Sequence, residues 1–345
     1  MTYSYSEKKK KSRSSVRDAD FLHIGGMTAA REAAFLSRAA IDRLISADDF
    51  ADAARILREA GYPDFSGMAL SEIEAELNKK RADEFYGLAR ISGVLPVLDI
   101  FRAKYDYDNV KVLVKAMQAN TDGGELLSAC GRVPPEVLTN VFISGDRRDL
   151  PGKLADAISR GVAVLSKTRN PGLSDTEIDR LYFEELCALA SAVGTPRIAG
   201  YVAAQIDAAN IKTFIRSAIT NRPPEFLENS LLPSGSVPQE AISAASGADG
   251  LISACGRTDI LTPRVAEAIR AAFISGRTGE LERLLDSAPY GAISPAKLTA
   301  FGADRLVLYL ARFQYELSAV LLILGGKLAG LSPEELASRL REFDI

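Results

Sequence analysis

Along most of this chain the apolar residues return every three or four positions, and no run alternates for long enough to make a strand. That periodicity belongs to helices that bury one face, and the fold class it predicts is all-α. Ser71-Glu-Ile-Glu74 and Ser174-Asp-Thr-Glu177 have the spacing of capping boxes, in which the serine satisfies a free N–H and the glutamate reaches back to the cap. Each is predicted to open a helix of roughly twenty residues. Gly93/Pro96 and Gly194/Pro196 break these helices, because proline lacks a donor and crowds the preceding turn. A helical run from about Thr28 is expected to continue to Ala47, and Leu306–Leu324 reads as one long apolar helix.

One segment occurs twice. Asp106-Tyr-Asp-Asn109-Val-Lys111-Val-Leu-Val-Lys115 returns as Asp207-Ala-Ala-Asn210-Ile-Lys212-Thr-Phe-Ile-Arg216. Each copy is followed by a Ser-Ala-Cys-Gly-Arg stretch, ending at Arg132 and at Arg257. A helix opened by proline comes next and closes on Phe142-Ile-Ser-Gly145 or Phe273-Ile-Ser-Gly276. A third copy is expected in two pieces. Leu44-Ile-Ser-Ala47 matches the Ile-Ser-Gly ends, and Glu316 in the C-terminal helix falls where the motif asparagine would lie. Repetition on this scale marks a building block of a fold before it marks a catalytic centre. The predicted organisation is a basic arm over residues 1–19, a unit completed by 20–66 and 290–345, and two further units over 67–166 and 167–289. The three would surround a common axis.

Charge is uneven along the chain. Residues 1–17 hold Lys8, Lys9, Lys10, Lys11, Arg13 and Arg17 against Glu7, a net +5, which leaves −8 on the remainder of a chain with formal charge −3. Such an arm suits anionic lipid or an acidic partner, or is simply solvated. No nucleic acid partner is expected. Lys8–Lys11 is not followed by an apolar core, so the start is not read as a secretory signal. The apolar run Leu317–Gly326 is shorter than the ~20 residues a spanning helix needs. Three widely spaced cysteines without a Cys-x-x-Cys pair suggest reduced thiols in a cytoplasmic protein, with Cys130 and Cys255 as small buried residues.

Candidate chemistry is sparse. His23 is the single histidine, which rules out a multi-histidine metal site. Gly325-Gly-Lys327 is followed by Leu328 and lacks the spacing and hydroxyl of a phosphate loop, and Gly25-Gly26 follows no strand. No cofactor is expected. On a helix, Phe101, Tyr105, Asn109, Val112 and Ala116 share one stripe, and Val202, Ile206, Asn210, Thr213 and Ser217 the matching one. Asp106, Asn109, Asp207 and Asn210 are therefore read as structural, each amide fixing the register of a neighbour. Lys111, Lys212 and Glu316 are the candidates for polar contacts with a partner near the axis.

Phe101-Arg-Ala-Lys-Tyr-Asp-Tyr-Asp-Asn109-Val-Lys-Val-Leu-Val-Lys115 resembles the Tyr-Asp-x-x-Asn-[Leu/Val]-Lys helix of the C subunits of V-type (archaeal and bacterial rotary) ATPases, related to the eukaryotic d subunit. Gln205-Ile-Asp207-Ala-Ala-Asn210-Ile-Lys is a weaker second version. Tyr315-Glu316 through Gly-Gly-Lys327 to Ser332-Pro-Glu-Glu335-Leu is similar to the family's closing helices, and Ala30-Arg-Glu-Ala-Ala-Phe-Leu-Ser37 to its first. Lys8–Ser15 departs from the family's direct entry into that helix. The resemblance covers most of the chain from about residue 20. It implies a funnel of three helical domains around a pseudo-threefold axis. It also implies a rotor subunit without catalysis, a socket on the cytoplasmic side of the membrane proteolipid ring that receives the central stalk and passes torque. A stand-alone α-helical scaffold for another protein is the rival reading, and an all-α enzyme the third.

Overall fold

The computed structural model describes residues 21–91, 95–256 and 258–341. The basic arm 1–19, Gly93 and Arg257, each given a role above, lie outside the described residues, as does the side chain of His23. Among the described residues there is no strand. The described residues form sixteen α-helices, beginning with α1 Leu22–Glu32, α2 Arg38–Ile45, α3 Phe50–Glu59, α4 Leu70–Ala89, α5 Leu95–Ala119, α6 Pro135–Ser144, α7 Leu154–Thr168 and α8 Pro171–Val193. They continue with α9 Pro196–Ile219, α10 Pro224–Ser230, α11 Gln239–Ser243, α12 Gly247–Cys255, α13 Pro263–Ser275, α14 Gly279–Ile293, α15 Ala303–Leu328 and α16 Pro333–Arg339.

The chain divides into two compact units. One takes Arg81–Thr195, and the other takes Leu22–Lys80 with Pro196–Ile345. In the first, α5 packs along α8 and α7. Ala103, Tyr107, Val110 and Val114 are all buried, so α5 is buried beyond the Asn109 stripe. In the second, α9 packs along α14 around Ile211, Ile215, Leu281 and Leu285. There α15 packs against α1, α3 and α16 and forms a core with Leu44, Leu57, Phe65 and Leu336. By length and composition α15 is apolar enough to cross a bilayer. Most of it is buried in the protein, and it carries the buried Glu316, as suits the core helix of this unit.

Helix termini follow local chemistry closely, with corrections. Pro135 and Pro263 open α6 and α13, and both helices stop at a left-handed glycine, Gly145 (φ 74°) and Gly276 (φ 69°), as the Ile-Ser-Gly pattern requires. The two expected capping boxes do not form. Helix α4 starts one residue before Ser71, and Glu72 reaches back to the Ala69 N–H at 2.7 Å. In α8, Asn170 takes the cap ahead of Pro171, which is pre-set for a first turn, so Ser174 falls inside. Its hydroxyl donates instead to the Gly161 carbonyl at 2.8 Å, where α7 and α8 meet. The real box is Ser332/Glu335 at the head of α16. Nor is the run from Thr28 to Ala47 continuous. α1 stops at Glu32, and Ser37 caps a separate α2.

Candidate functional site

The repeated motif builds a repeated clamp. On α5, Asp106 is fully buried, and its Oδ1 accepts the backbone N–H groups of Arg132 (2.8 Å) and Val133 (3.0 Å). One turn on, Asn109 meets the same loop as a peptide would. Its Oδ1 accepts from the Ser128 N–H at 2.8 Å, and its Nδ2 donates to the Ser128 carbonyl at 2.9 Å. On α9, Asp207 accepts from Ser236 (3.1 Å) and Val237 (3.0 Å), while Asn210 exchanges both bonds with Leu232 (2.7 and 2.9 Å). Both amides are buried with their donors and acceptors paired.

These bonds correct the alignment of the downstream segments. The loop gripped by the second motif is Leu231–Val237, not Ile252–Arg257; Ile252–Cys255 lies inside α12. Leu127-Ser-Ala-Cys-Gly131-Arg-Val-Pro134 therefore corresponds to Leu231-Leu-Pro-Ser-Gly235-Ser-Val-Pro238. Glycine is required at its fifth position. A Cβ on Gly131 or Gly235 would stand well inside contact distance of the Asp106 or Asp207 Oδ1.

A third carboxylate does the same work. Glu316 on α15 accepts the Leu36 N–H at 2.6 Å, and Leu36 immediately precedes the Ser37 cap of α2. Val133 and Val237 hold the matching places before Pro134 and Pro238, the caps of α6 and α11. Glu316 thus stands where Asp106 and Asp207 stand, not where the asparagines do. Its other oxygen accepts the Tyr62 hydroxyl at 2.5 Å. Burial pushes the pKa of Glu316, Asp106 and Asp207 up, against the hydrogen bonds that favour the charged form.

A buried charge network surrounds the first clamp. Arg132 bonds the second oxygen of Asp106 through Nε at 2.6 Å and reaches Glu185 of α8 through a terminal nitrogen. Glu185 also accepts from the Tyr107 hydroxyl at 2.5 Å and from the Lys153 N–H at 3.2 Å. Burial opposes the charge on Arg132, but Asp106 and Glu185 outweigh it and raise its pKa. Asp99 lies beside this network, and burial pushes its carboxyl up to about 6. In the second copy Ser236 replaces Arg132, and Asp207 makes no ion pair among the described residues.

The motif lysines sit half-buried in two-rung ladders. Lys111 pairs with Asp179 at 2.5 Å and Lys115 with Asp175 at 3.0 Å, both on α8. Lys212 pairs with Asp286 and Arg216 with Glu282 (2.9 Å), both on α14. The ladders equate α8 with α14, and hence α7 with α13, so the Ile-Ser-Gly ends of α6 and α13 belong to different positions of the repeat. Lys111 and Lys212 retain about a fifth of their side-chain surface, whereas Glu316 is 5% exposed. Sequence reading missed Glu185, Arg132 and Tyr62. The signal available was the Tyr–Glu recurrence, since Tyr107/Glu185 and Tyr62/Glu316 pair alike. Among the described residues no group of histidine, cysteine, aspartate or glutamate could hold a metal ion. The chemistry on view is mechanical: buried carboxylates and amides lock loops to helices.

Residues 24–339 match the family model described as ATP synthase (C/AC39) subunit. The C subunit of the V-type sodium ATPase of Enterococcus hirae is 24% identical over 319 residues, 91% of this chain and 96% of the relative. The C subunit of the A-type ATP synthase of Methanocaldococcus jannaschii is 21% identical over 348 residues, 93% and 86%. The C subunit of the V-type ATP synthase of Thermus thermophilus is 21% identical over 201 residues, 56% and 62%.

Proposed function

This chain belongs to the ATP synthase (C/AC39) subunit family, and from that premise we propose that it is the non-catalytic rotor socket of a rotary ATPase. It links the central stalk to the proteolipid ring on the cytoplasmic face of the membrane and transmits torque in ion transport. The observation that carries the reading is the threefold recurrence of the clamp, at Asp106, Asp207 and Glu316. Three like units, α5–α8, α9–α14 and the pair of chain ends, are proposed to close around a pseudo-threefold axis; the ladders from α5 to α8 and from α9 to α14 support moving the first boundary from 166/167 to the α8–α9 junction. Torque transfer needs stiffness, and loops pinned by buried, fully paired carboxylates and amides yield less than solvated loops. Lys111 and Lys212 are the proposed axial contacts with the stalk, exchanging a ladder rung for a partner carboxylate. Glu316 serves from inside, by fixing the segment that leads into α2. A moderate, polar grip suits a head that associates and releases.

Reconstitution of a rotary complex with and without the chain tests this. The soluble head alone should hydrolyse ATP in its absence, while hydrolysis-coupled ion pumping is lost and returns on adding it back. Intact coupling without the chain refutes the socket, and ATP hydrolysis by the purified chain refutes the non-catalytic assignment.

A further inference from the structure

The two lysine ladders differ in what an opened rung would leave behind. Lys111 is flanked by three carboxylates: Asp179 at 2.5 Å, Asp108 at 3.5 Å, and Asp175, which holds Lys115 on the next rung. Burial opposes the charge on Lys111, but those carboxylates outweigh it and raise its pKa. Asp179 pairs with no other cation among the described residues. Drawing Lys111 away therefore strands Asp179 beside Asp108, where like charges repel.

Ala209 stands in the second copy where the first has Asp108. Lys212 bonds Oδ1 of Asp286, and Arg341 pairs with Oδ2 of the same carboxylate at 3.2 Å. Arg341 lies just beyond α16 and has no counterpart in the first ladder. Its place is fixed, since Leu340 is buried in the core and the Tyr315 hydroxyl donates to the Arg341 carbonyl at 3.1 Å. Lys212, Arg216 and Arg341 thus stand against Asp286 and Glu282, three cations to two carboxylates. The side chains of Arg216 and Arg341 keep 64% and 45% of their surface exposed, so the surplus charge faces solvent. Asp286 retains Arg341 as a counter-ion when Lys212 turns away, and the exchange costs little more than one solvent-screened pair.

We propose that Lys212, Arg216 and Arg341 form the main carboxylate-accepting site of this chain, with Arg341 holding Asp286 while Lys212 takes a partner's acid. The occupant is an acidic segment of a neighbouring subunit with two carboxylates about one helical turn apart, matching the spacing of Lys212 and Arg216 on α9. The site rests on the rotor reading for the source of its partner. It deepens that reading by adding Arg341 and by ranking Lys212 above Lys111.

Full-length Lys212→Gln, Arg341→Gln and Lys111→Gln test it beside wild type. The probes are the purified central-stalk subcomplex and the proteolipid ring in nanodiscs, with urea unfolding measured on each variant. Lys212→Gln and Arg341→Gln should each bind one and the same probe at least roughly tenfold more weakly, with a shallower salt dependence and an unfolding midpoint close to wild type. Lys111→Gln should weaken that binding by less than about threefold and should lower the midpoint. Glu342 and Asp344 follow Arg341 in the sequence and lie outside the described residues. With both neutralised, as Glu342→Gln/Asp344→Asn, the Lys212→Gln change should keep its effect. An effect that vanishes there makes the chain's own carboxylates the occupant and overturns the proposal. Wild-type affinity in Lys212→Gln or Arg341→Gln, an equal loss of binding in Lys111→Gln, or a midpoint that falls as far in Lys212→Gln as in Lys111→Gln also overturns it, and leaves the rotor reading standing. Wild-type protein that binds neither probe sinks the rotor reading, and the site with it.

Discussion

Replacing Arg132 with methionine isolates the charge network from the clamp it surrounds. The guanidinium is buried and bridges Asp106 and Glu185, themselves 0% and 4% exposed. Removing it strands two carboxylates in the interior while leaving the backbone bonds of Asp106 in place. Breaking a buried ion pair from one side costs roughly 3–5 kcal/mol, most of it the desolvation of the abandoned partner. Arg132→Met should therefore lower unfolding stability by about that amount in urea titrations. The triple variant Arg132→Met/Asp106→Asn/Glu185→Gln removes the charges together. An amide in place of the Asp106 carboxylate can still accept both loop N–H groups on one oxygen, as Oδ1 does now. An amide in place of the Glu185 carboxylate can likewise accept from Tyr107 and Lys153 on one oxygen. Stability of the triple variant should return to within about 1–2 kcal/mol of wild type, because a neutral replacement of a whole buried network is often nearly neutral. A single variant that loses less than about 1 kcal/mol, or a triple variant as unstable as the single, would refute the argument.

Other outcomes follow from the same bonds. Asn210→Ala leaves the Leu232 N–H and carbonyl buried without partners and should cost roughly 1–3 kcal/mol, read as a lowered urea midpoint at unchanged slope. Gly235→Ala forces its Cβ against Asp207 and should destabilise by about 1–3 kcal/mol, whereas alanine at Gly279, which meets nothing, should not, as thermal unfolding would show. Asp99 has its pKa raised to about 6, so the folded state binds its proton more tightly than the unfolded. Its contribution is present below pH ~4 and is lost as pH rises through ~6, so Asp99→Asn should gain stability relative to wild type across that window. Glu316→Gln should gain in the same direction, whereas Glu316→Ala, which orphans the Leu36 N–H and the Tyr62 hydroxyl, should lose at every pH.

The helical class was legible because period and capping are local, and the motif was legible because it occurs twice. What the motif does was half legible. An asparagine on a packed stripe can be expected to bond a neighbour, but which loop it bonds depends on a closure across 19 residues in one copy and 22 in the other. The similar Cys-Gly-Arg stretches offered a false register, since Leu-x-x-x-Gly-x-Val-Pro is the pattern the clamp reads and only two of its positions carry side chains with a strong signature. The sequence puts Glu316 one turn off for a related reason. A carboxylate can accept any backbone N–H in reach, so its helix position alone does not say whether it copies Asp or Asn. The serines at 71 and 174 misled because Ser-x-x-Glu is common inside first turns, and the proline and asparagine at 170–171 outrank it.

The differences between copies bear on mechanics more than the likeness does. Each clamp fixes a loop through backbone bonds, a neutral geometry that tolerates changes in the surrounding side chains. Only the first adds a buried guanidinium spanning α5, its loop and α8. Only the third joins segments from opposite ends of the sequence, Leu36 and Tyr62 with Glu316, and so closes a contact about 280 residues apart in the chain. A long closure is entropically the dearest to form but only slowly dearer with length, so one strong carboxylate fork is a reasonable anchor for it. That places the greatest mechanical demand on Glu316, the residue whose two oxygens hold the N-terminal helices to α15. Loss of Glu316 should then loosen α2 and α3 selectively. Amide exchange would report this as faster exchange in residues 36–62 with α5–α8 unchanged, and uniform acceleration across both units would show that the clamp does not act locally.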